Sequence, residues 1–121
     1  MPLPRRSRPF GDLEATVMDQ LWSAGRPLLV RDVIDAMSPD RTPAYTTVMT
    51  VMDNLHRKGL LRRERDGRAF RYWPTKARAE LTAELMDELL SDSGDRPATL
   101  LRFVGRMAPD ELAELRRVLG E

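Results

Sequence analysis

Apolar residues recur at helical spacing in three stretches of the first half of the chain. Leu13, Val17, Met18, Leu21 and Trp22 fall at i, i+4, i+5, i+8 and i+9. Asp12 is the expected N-cap of this helix and Gly25 its stop, and Trp22 reads as core. Arg26-Pro27 reads as a turn, and Leu28-Leu29 is short enough for a stub of strand. Val30, Val33, Ile34 and Met37 repeat the helical spacing and end before Ser38-Pro39. The stretch AYTTVMTVMDNL, residues 44–55, supplies a third helix that Gly59 stops. Thr42 as N-cap with Pro43 in the first turn is one start for it; a start one or two residues later is the other.

The period then changes from helical to two. Residues 60–65 (LLRRER) and 69–73 (AFRYW) flank Asp66-Gly67, a strong hairpin signal, and Pro74 ends the second run. Helix, stub, helix, helix, hairpin is the order of a winged helix-turn-helix. The helical period returns over residues 76–91, with Leu81, Leu85, Leu89 and Leu90 on one side. SDSGDRP breaks the pattern, and residues 98–107 and 109–119 resume it, the last helix starting near Asp110. The expected fold class is mainly α with a small β-hairpin. Residues 1–9 form a basic arm, 10–75 a winged helix-turn-helix domain, and 76–121 a three-helix region. Such short amphipathic helices are poorly equipped to build a core of their own. Their apolar positions Leu81, Leu85, Leu89, Leu100, Phe103, Val104, Leu112, Leu115 and Leu119 are therefore candidate contacts to a second copy.

Charge sharpens this division. The chain has 121 residues and a formal net charge of +1. Residues 1–76 hold 14 Lys+Arg against 9 Asp+Glu, whereas residues 77–121 hold 6 against 10. A basic front suits a polyanion and an acidic back suits another task. Cysteine is absent, which removes disulfides, thiolate metal sites and cysteine nucleophiles, and fits a cytoplasmic location. No run approaches the ~18 apolar residues of a membrane helix, and the basic arm is not followed by the apolar core of a signal peptide.

The third helix carries an unusual number of threonines. Each costs roughly half a kcal/mol or more relative to Ala in a helix. At ~100° per residue, Tyr45, Val48, Val51, Met52 and Leu55 share one arc of about 120°. Thr46, Thr47, Thr50, Asp53, Asn54 and Arg57 share an arc of similar width opposite, with Met49 at the border. This face lacks the Glu and Lys that usually fill a solvated helix surface. Short hydroxyl and methyl groups can lie close to base edges in a major groove; a solvated polar face is the other reading. Downstream, Arg57, Lys58, Arg62, Arg63, Arg65, Arg68 and Arg71 face only Glu64 and Asp66 in the stretch from His56 to Tyr72. A hairpin so charged is suited to a phosphate backbone or a minor groove, and Arg65 and Arg68 beside its turn are the foremost contact candidates. The candidate nucleic-acid contacts are Thr42, Tyr45, Thr46, Thr47, Thr50, Asn54, Arg57, Arg65 and Arg68.

LEATVMDQLW (13–22), AYTTVMTVMDNLHRKGLL (44–61) and RERDGRAFRYWP (63–74) together resemble the BlaI/MecI/CopY family of bacterial winged-helix repressors across nearly the whole chain. The family's Thr-Val/Ile-x-Thr element is matched by Thr47-Val48-Met49-Thr50. The resemblance implies a homodimeric repressor that binds a palindromic operator in double-stranded DNA, with the C-terminal helices forming the dimer. The copper-sensing branch uses a cysteine-rich site, which this chain lacks. In the β-lactam-responsive branch a membrane sensor protease triggers a cut at an Asn–Phe bond; the matching bond here is Arg102-Phe103, with Arg in place of Asn. A core role for Phe103 beside Leu100 and Met107 is the other explanation.

An enzyme is the competing class. The chain has a single histidine, His56, and lacks a Gly-rich phosphate loop, an HExxH element and any carboxylate–His metal spacing. His56 reads as a surface or phosphate-contacting residue; no catalytic residue, metal ligand or cofactor is expected. A winged helix used only for protein–protein contact is the remaining alternative.

Overall fold

The computed structural model describes residues 10–37, 39 and 43–120. The expected arm at 1–9, Ser38 and Thr42 lie outside the described residues. The elements run α1 (Asp12–Ala24), β1 (Leu28–Leu29), α2 (Val30–Asp35), α3 (Tyr45–Arg57), β2 (Leu61–Asp66), β3 (Ala69–Pro74), α4 (Arg78–Asp92), α5 (Arg96–Val104) and α6 (Pro109–Val118). The mainly helical expectation holds, with one addition. The Leu28-Leu29 stub joins the hairpin into a three-stranded antiparallel sheet of order β1-β3-β2.

Helix ends shift where local capping chemistry overrides the apolar pattern. In α1 the N-cap is Gly11 rather than Asp12, because Glu14 at the third helical position reaches back to the Gly11 N–H at 3.2 Å. Asp12 keeps its favourable place in the first turn. Gly25 closes the helix in the left-handed region at φ 64°, which an L side chain rarely adopts. The Asp32 carboxylate accepts from Leu29 N–H at 2.9 Å and caps α2. Helix α3 takes the later start: Ala44 is its N-cap, and Pro43 stays outside. Helix α5 begins earlier than its apolar pattern, since Asp95 accepts from Ala98 N–H at 3.1 Å and Pro97 suits the first turn. Ala108 caps α6, its N–H bonded to Glu111 at 2.9 Å, so α6 starts at Pro109.

The hairpin turn also moves by one position. Asp66 pairs with Ala69 inside the ladder, leaving Gly67-Arg68 as the two-residue connection. Gly67 has φ 65° and Arg68 does not share a positive φ, the pattern of a type II′ turn with glycine first.

The chain folds as two compact units, the first through Leu81 and the second from Thr82. The core of the first is built from Val17, Met18 and Leu21 of α1, Leu28, Val30 and Val33, and Val48, Met52 and Leu55 of α3, closed by Leu61 and Tyr72 of the sheet. Trp22 packs against it half-buried, and its Nε1 donates to the Lys76 carbonyl at 3.0 Å. Arg78 at the start of α4 reaches Asp19 at 2.9 Å and lies 5.5 Å from the Trp22 ring. In the second unit, Arg96 ties α5 to α4 through the Asp87 carboxylate at 2.6 Å and Ser91 Oγ at 3.1 Å. Helices α5 and α6 bury no residue.

Glu14 also accepts from Lys58 Nζ at 3.0 Å, joining the first turn of α1 to the end of α3. Partial burial works to raise its pKa, but the Lys58 hydrogen bond and the Gly11 N–H outweigh this and leave it below the ordinary value of 4.5. A depressed folded-state pKa contributes stability above the unfolded pKa and loses it as pH falls through the folded value. Glu14→Gln is therefore expected to lower stability by roughly 0.5–1 kcal/mol at neutral pH, discounted for the exposed Lys58 partner. Urea denaturation should show the gap closing below about pH 4.

A candidate nucleic-acid interface

The geometry begins with how α3 is seated. Val48, Met52 and Leu55 are fully buried and Val51 is half-buried, so the opposite side of the helix must face out. Thr46, Thr47, Thr50, Asn54 and Arg57 are all exposed. Tyr45, which the helical arc placed on the apolar side, is instead 46% exposed. It stands at the edge of that arc in the first turn, where α3 has little core left to cover. There Tyr45 and Met49 line a depression with Arg31 of α2 and Arg68 and Phe70 of the hairpin. Thr42 lies outside the described residues.

The ladder register sorts the hairpin arginines onto two faces. Arg63 pairs opposite Tyr72 and Arg65 opposite Phe70, and residues directly opposite share a face. Leu61, Arg63, Arg65, Phe70 and Tyr72 therefore lie on the side toward α3. Arg62, Glu64, Asp66, Arg71 and Trp73 occupy the other side. The Arg63 guanidinium sits 4.2 Å over the Phe70 ring and Arg65 5.7 Å from it, at cation–π range.

Ion pairs then divide the basic residues into committed and available ones. Arg71 pairs with Asp66 at 2.6 Å and Lys58 with Glu14 at 3.0 Å. Asp53 pairs twice, with Arg57 one turn on at 3.1 Å and with Arg63 across to β2 at 2.9 Å. The Tyr72 hydroxyl and then Asp53 hold the Arg63 pKa above its ordinary value, against the opposing effect of burial. Among the described residues, Arg62, Arg65 and Arg68 meet no carboxylate within ion-pair distance. Arg65 and Arg68 thus combine exposure, position beside the turn and unneutralised charge.

His56 departs from the surface role expected of it. The Thr75 N–H donates to the Leu60 carbonyl at 3.1 Å, which leaves the Leu61 carbonyl on the open edge of β2. His56 Nδ1 meets that carbonyl at 3.0 Å, so this nitrogen carries the proton and donates. The residue is half-buried and ties the end of α3 to the first hairpin strand.

Asp53, Met49 and Arg63 were placed by the sequence on the polar arc, at its border and in the basic hairpin but were not among the candidate contacts, and Phe70 was not singled out. Strict alternation along LRRERD would have put Arg63 and Arg65 with Leu61. The Asp53–Arg63 bridge has no such signal, because it joins a helix to a strand. The candidate dimer positions are spread differently: Leu81 is buried within the first unit, whereas Leu89, Leu100, Phe103, Leu115 and Leu119 are between 39% and 67% exposed. Leu85, Val104 and Leu112 are half-buried, and Arg102 is exposed beside Phe103 in α5. Among the described residues no group of three or more His, Asp or Glu could hold a metal ion. Nor is any helix among them long and apolar enough to cross a membrane.

A family model described as penicillinase repressor matches residues 10–121. The chain is 51% identical over 115 residues to the transcriptional regulator BlaI of Mycobacterium tuberculosis, covering 93% of this chain and 83% of that protein. The solution structure of the DNA-binding domain of the repressor BlaI matches with a TM-score of 0.52 and 28% identity, over 60% of this chain and 87% of that one. A MarR family protein from Bacillus stearothermophilus shares the fold at a TM-score of 0.52 and 19% identity, over 94% of this chain and 73% of that one.

Replacing His56 by Ala removes the donor to the Leu61 carbonyl. The expected loss is about 1–2 kcal/mol of stability, measured by chemical denaturation.

Proposed function

This chain belongs to the penicillinase repressor family, and from that premise we propose that it is a sequence-specific DNA-binding transcriptional repressor. The observation that carries the reading is the exposed side of α3, made of Thr46, Thr47, Thr50 and Asn54, next to the uncompensated Arg65 and Arg68. Thr47 and Thr50 read bases in the major groove through hydroxyls and methyls. Tyr45, Thr46, Asn54 and Arg57 flank them, and Thr42 precedes the helix. Arg65 and Arg68 meet phosphates or the adjacent minor groove, positioning the helix without reading sequence themselves.

The working unit is a homodimer on a palindromic operator. One small module specifies few base pairs, whereas two linked modules raise affinity through effective concentration and demand correctly spaced half-sites. The support is the apolar surface left open on α5 and α6, where Leu100, Phe103, Leu115 and Leu119 remain between 39% and 67% exposed in the single chain. Residues 10–75 would serve as the DNA-binding domain and 76–121 as the dimerisation region, in the cytoplasm. Release by a membrane sensor protease rests on the family resemblance. Its candidate bond, Arg102-Phe103, lies inside α5, so a cut there requires local unwinding of that helix.

An electrophoretic shift against the DNA upstream of the protein's own gene tests the function. A salt-sensitive, sequence-selective shift is expected, and its absence would refute the repressor reading. Thr50→Ala should weaken specific binding by roughly 1–3 kcal/mol and leave binding to random duplex nearly intact; equal losses on both would remove Thr50 from base reading. Arg65→Ala should lower affinity on every sequence and reduce the salt slope by about one, and an unchanged slope would take Arg65 off the phosphates. Phe103→Glu places a charge on the open face of α5. Sedimentation should then show dimer dissociation strengthened by at least about tenfold, with the helical content of the monomer retained.

A further inference from the structure

Asp53 is an anomaly on the surface just described. It is the acidic residue of α3, stands on the helix side that carries the threonines, and faces a phosphate polymer that should repel it. Its side chain is 30% exposed and holds two cations, Arg57 through Nε at 3.1 Å and Arg63 at 2.9 Å. Arg63 is further immobilised, 26% exposed and stacked 4.2 Å from Phe70. One carboxylate thus links the recognition helix to the hairpin and offsets part of their combined positive charge.

We propose that Asp53 is a selectivity-setting residue: it holds the hairpin in register with α3 and withholds Arg63 and part of Arg57 from phosphates. The inference rests on the DNA-binding reading above and concerns discrimination between sequences. Non-specific binding is supplied by cations that neutralise phosphates and release counterions. A carboxylate among those cations lowers that term for every sequence. A specific complex also needs the helix and hairpin at a fixed spacing, so it gains from the bridge what random DNA does not. The cost in raw affinity falls mainly on the wrong sites, which is the quantity that matters among many competing sites.

The experiment compares the wild-type full-length chain with Asp53→Asn and Asp53→Glu. The probes are a duplex selected by the wild type from a random pool and a shuffled duplex of the same composition, titrated across a salt series. Asn keeps an acceptor for Arg63 but drops the charge. Asp53→Asn is expected to bind the shuffled duplex more tightly, with the salt slope steeper by about 0.9, the increment for one further neutralised phosphate. Its selected-to-shuffled affinity ratio should fall on the order of tenfold, since the selected duplex gains less. Asp53→Glu, which keeps the charge, should restore the wild-type slope.

An unchanged slope in Asp53→Asn, or a slope in Asp53→Glu equal to that of Asn, overturns the proposal. So does a parallel loss of affinity on both duplexes, the mark of a purely structural role. If the wild type itself selects no sequence from the pool, the repressor reading fails first and takes this one with it. That result is distinct from wild-type selectivity paired with an indifferent Asp53→Asn.

Discussion

The seating of α3 is the constraint on which the rest of the structure depends. Val48, Met52 and Leu55 are each fully excluded from solvent, and they meet α1, α2 and the first residues of the hairpin in one core. Truncating Met52 or Leu55 to Ala would cost on the order of 2–5 kcal/mol, a large part of what so small a domain has to spare. That cost fixes the rotation of the helix about its own axis. With the apolar arc pinned inward, Thr46, Thr47, Thr50 and Asn54 have no choice but to face out. The propensity lost to the threonines is borne by packing on the other side.

A second layer of restraint sets the hairpin against that helix. His56 Nδ1 donates to the Leu61 carbonyl, Asp53 bridges to Arg63, and Arg63 stacks on Phe70. These contacts run from the end of α3 along the face of the sheet toward the turn, and they leave Arg65 and Arg68 as the free cations at its tip. Charge in the hairpin is thus not a uniform coat. Arg63 and Arg71 are tied to carboxylates and serve geometry, while Arg62, Arg65 and Arg68 meet no carboxylate among the described residues, the last two beside the turn.

The C-terminal unit follows a different physics. Its helices are individually well capped, by Asp95 for α5 and by Glu111 for α6, yet α5 and α6 bury no side chain. Capping and intrahelical bonds set where a helix begins, but they do not cover an apolar stripe. Leu101 at 73% exposed and Phe103 at 45% are left for another surface. The homodimer proposed above would cover these positions with a second copy of the same patch, which is the logic of a two-fold interface.

Much of this was legible along the chain, because helical and two-residue periods are local properties. The order of elements, the glycine stop of α1, the Asp66–Gly67 region as a hairpin and the outward threonines all follow from spacing alone. The motifs of residues 13–22, 44–61 and 63–74 likewise marked the family to which the chain belongs. Capping was less legible, since Gly11 and Asp95 are chosen by which carboxylate reaches which N–H. Tertiary structure alone decided the rest: the joining of Leu28-Leu29 to the hairpin, the exposure of Tyr45, the edge carbonyl taken by His56, and the pairing of Asp53 with Arg63. Each brings together residues from different elements, and no repeat within one element records what lies across from it. Sequence therefore determined which side of α3 is polar, and packing determined which charges beside it remain free.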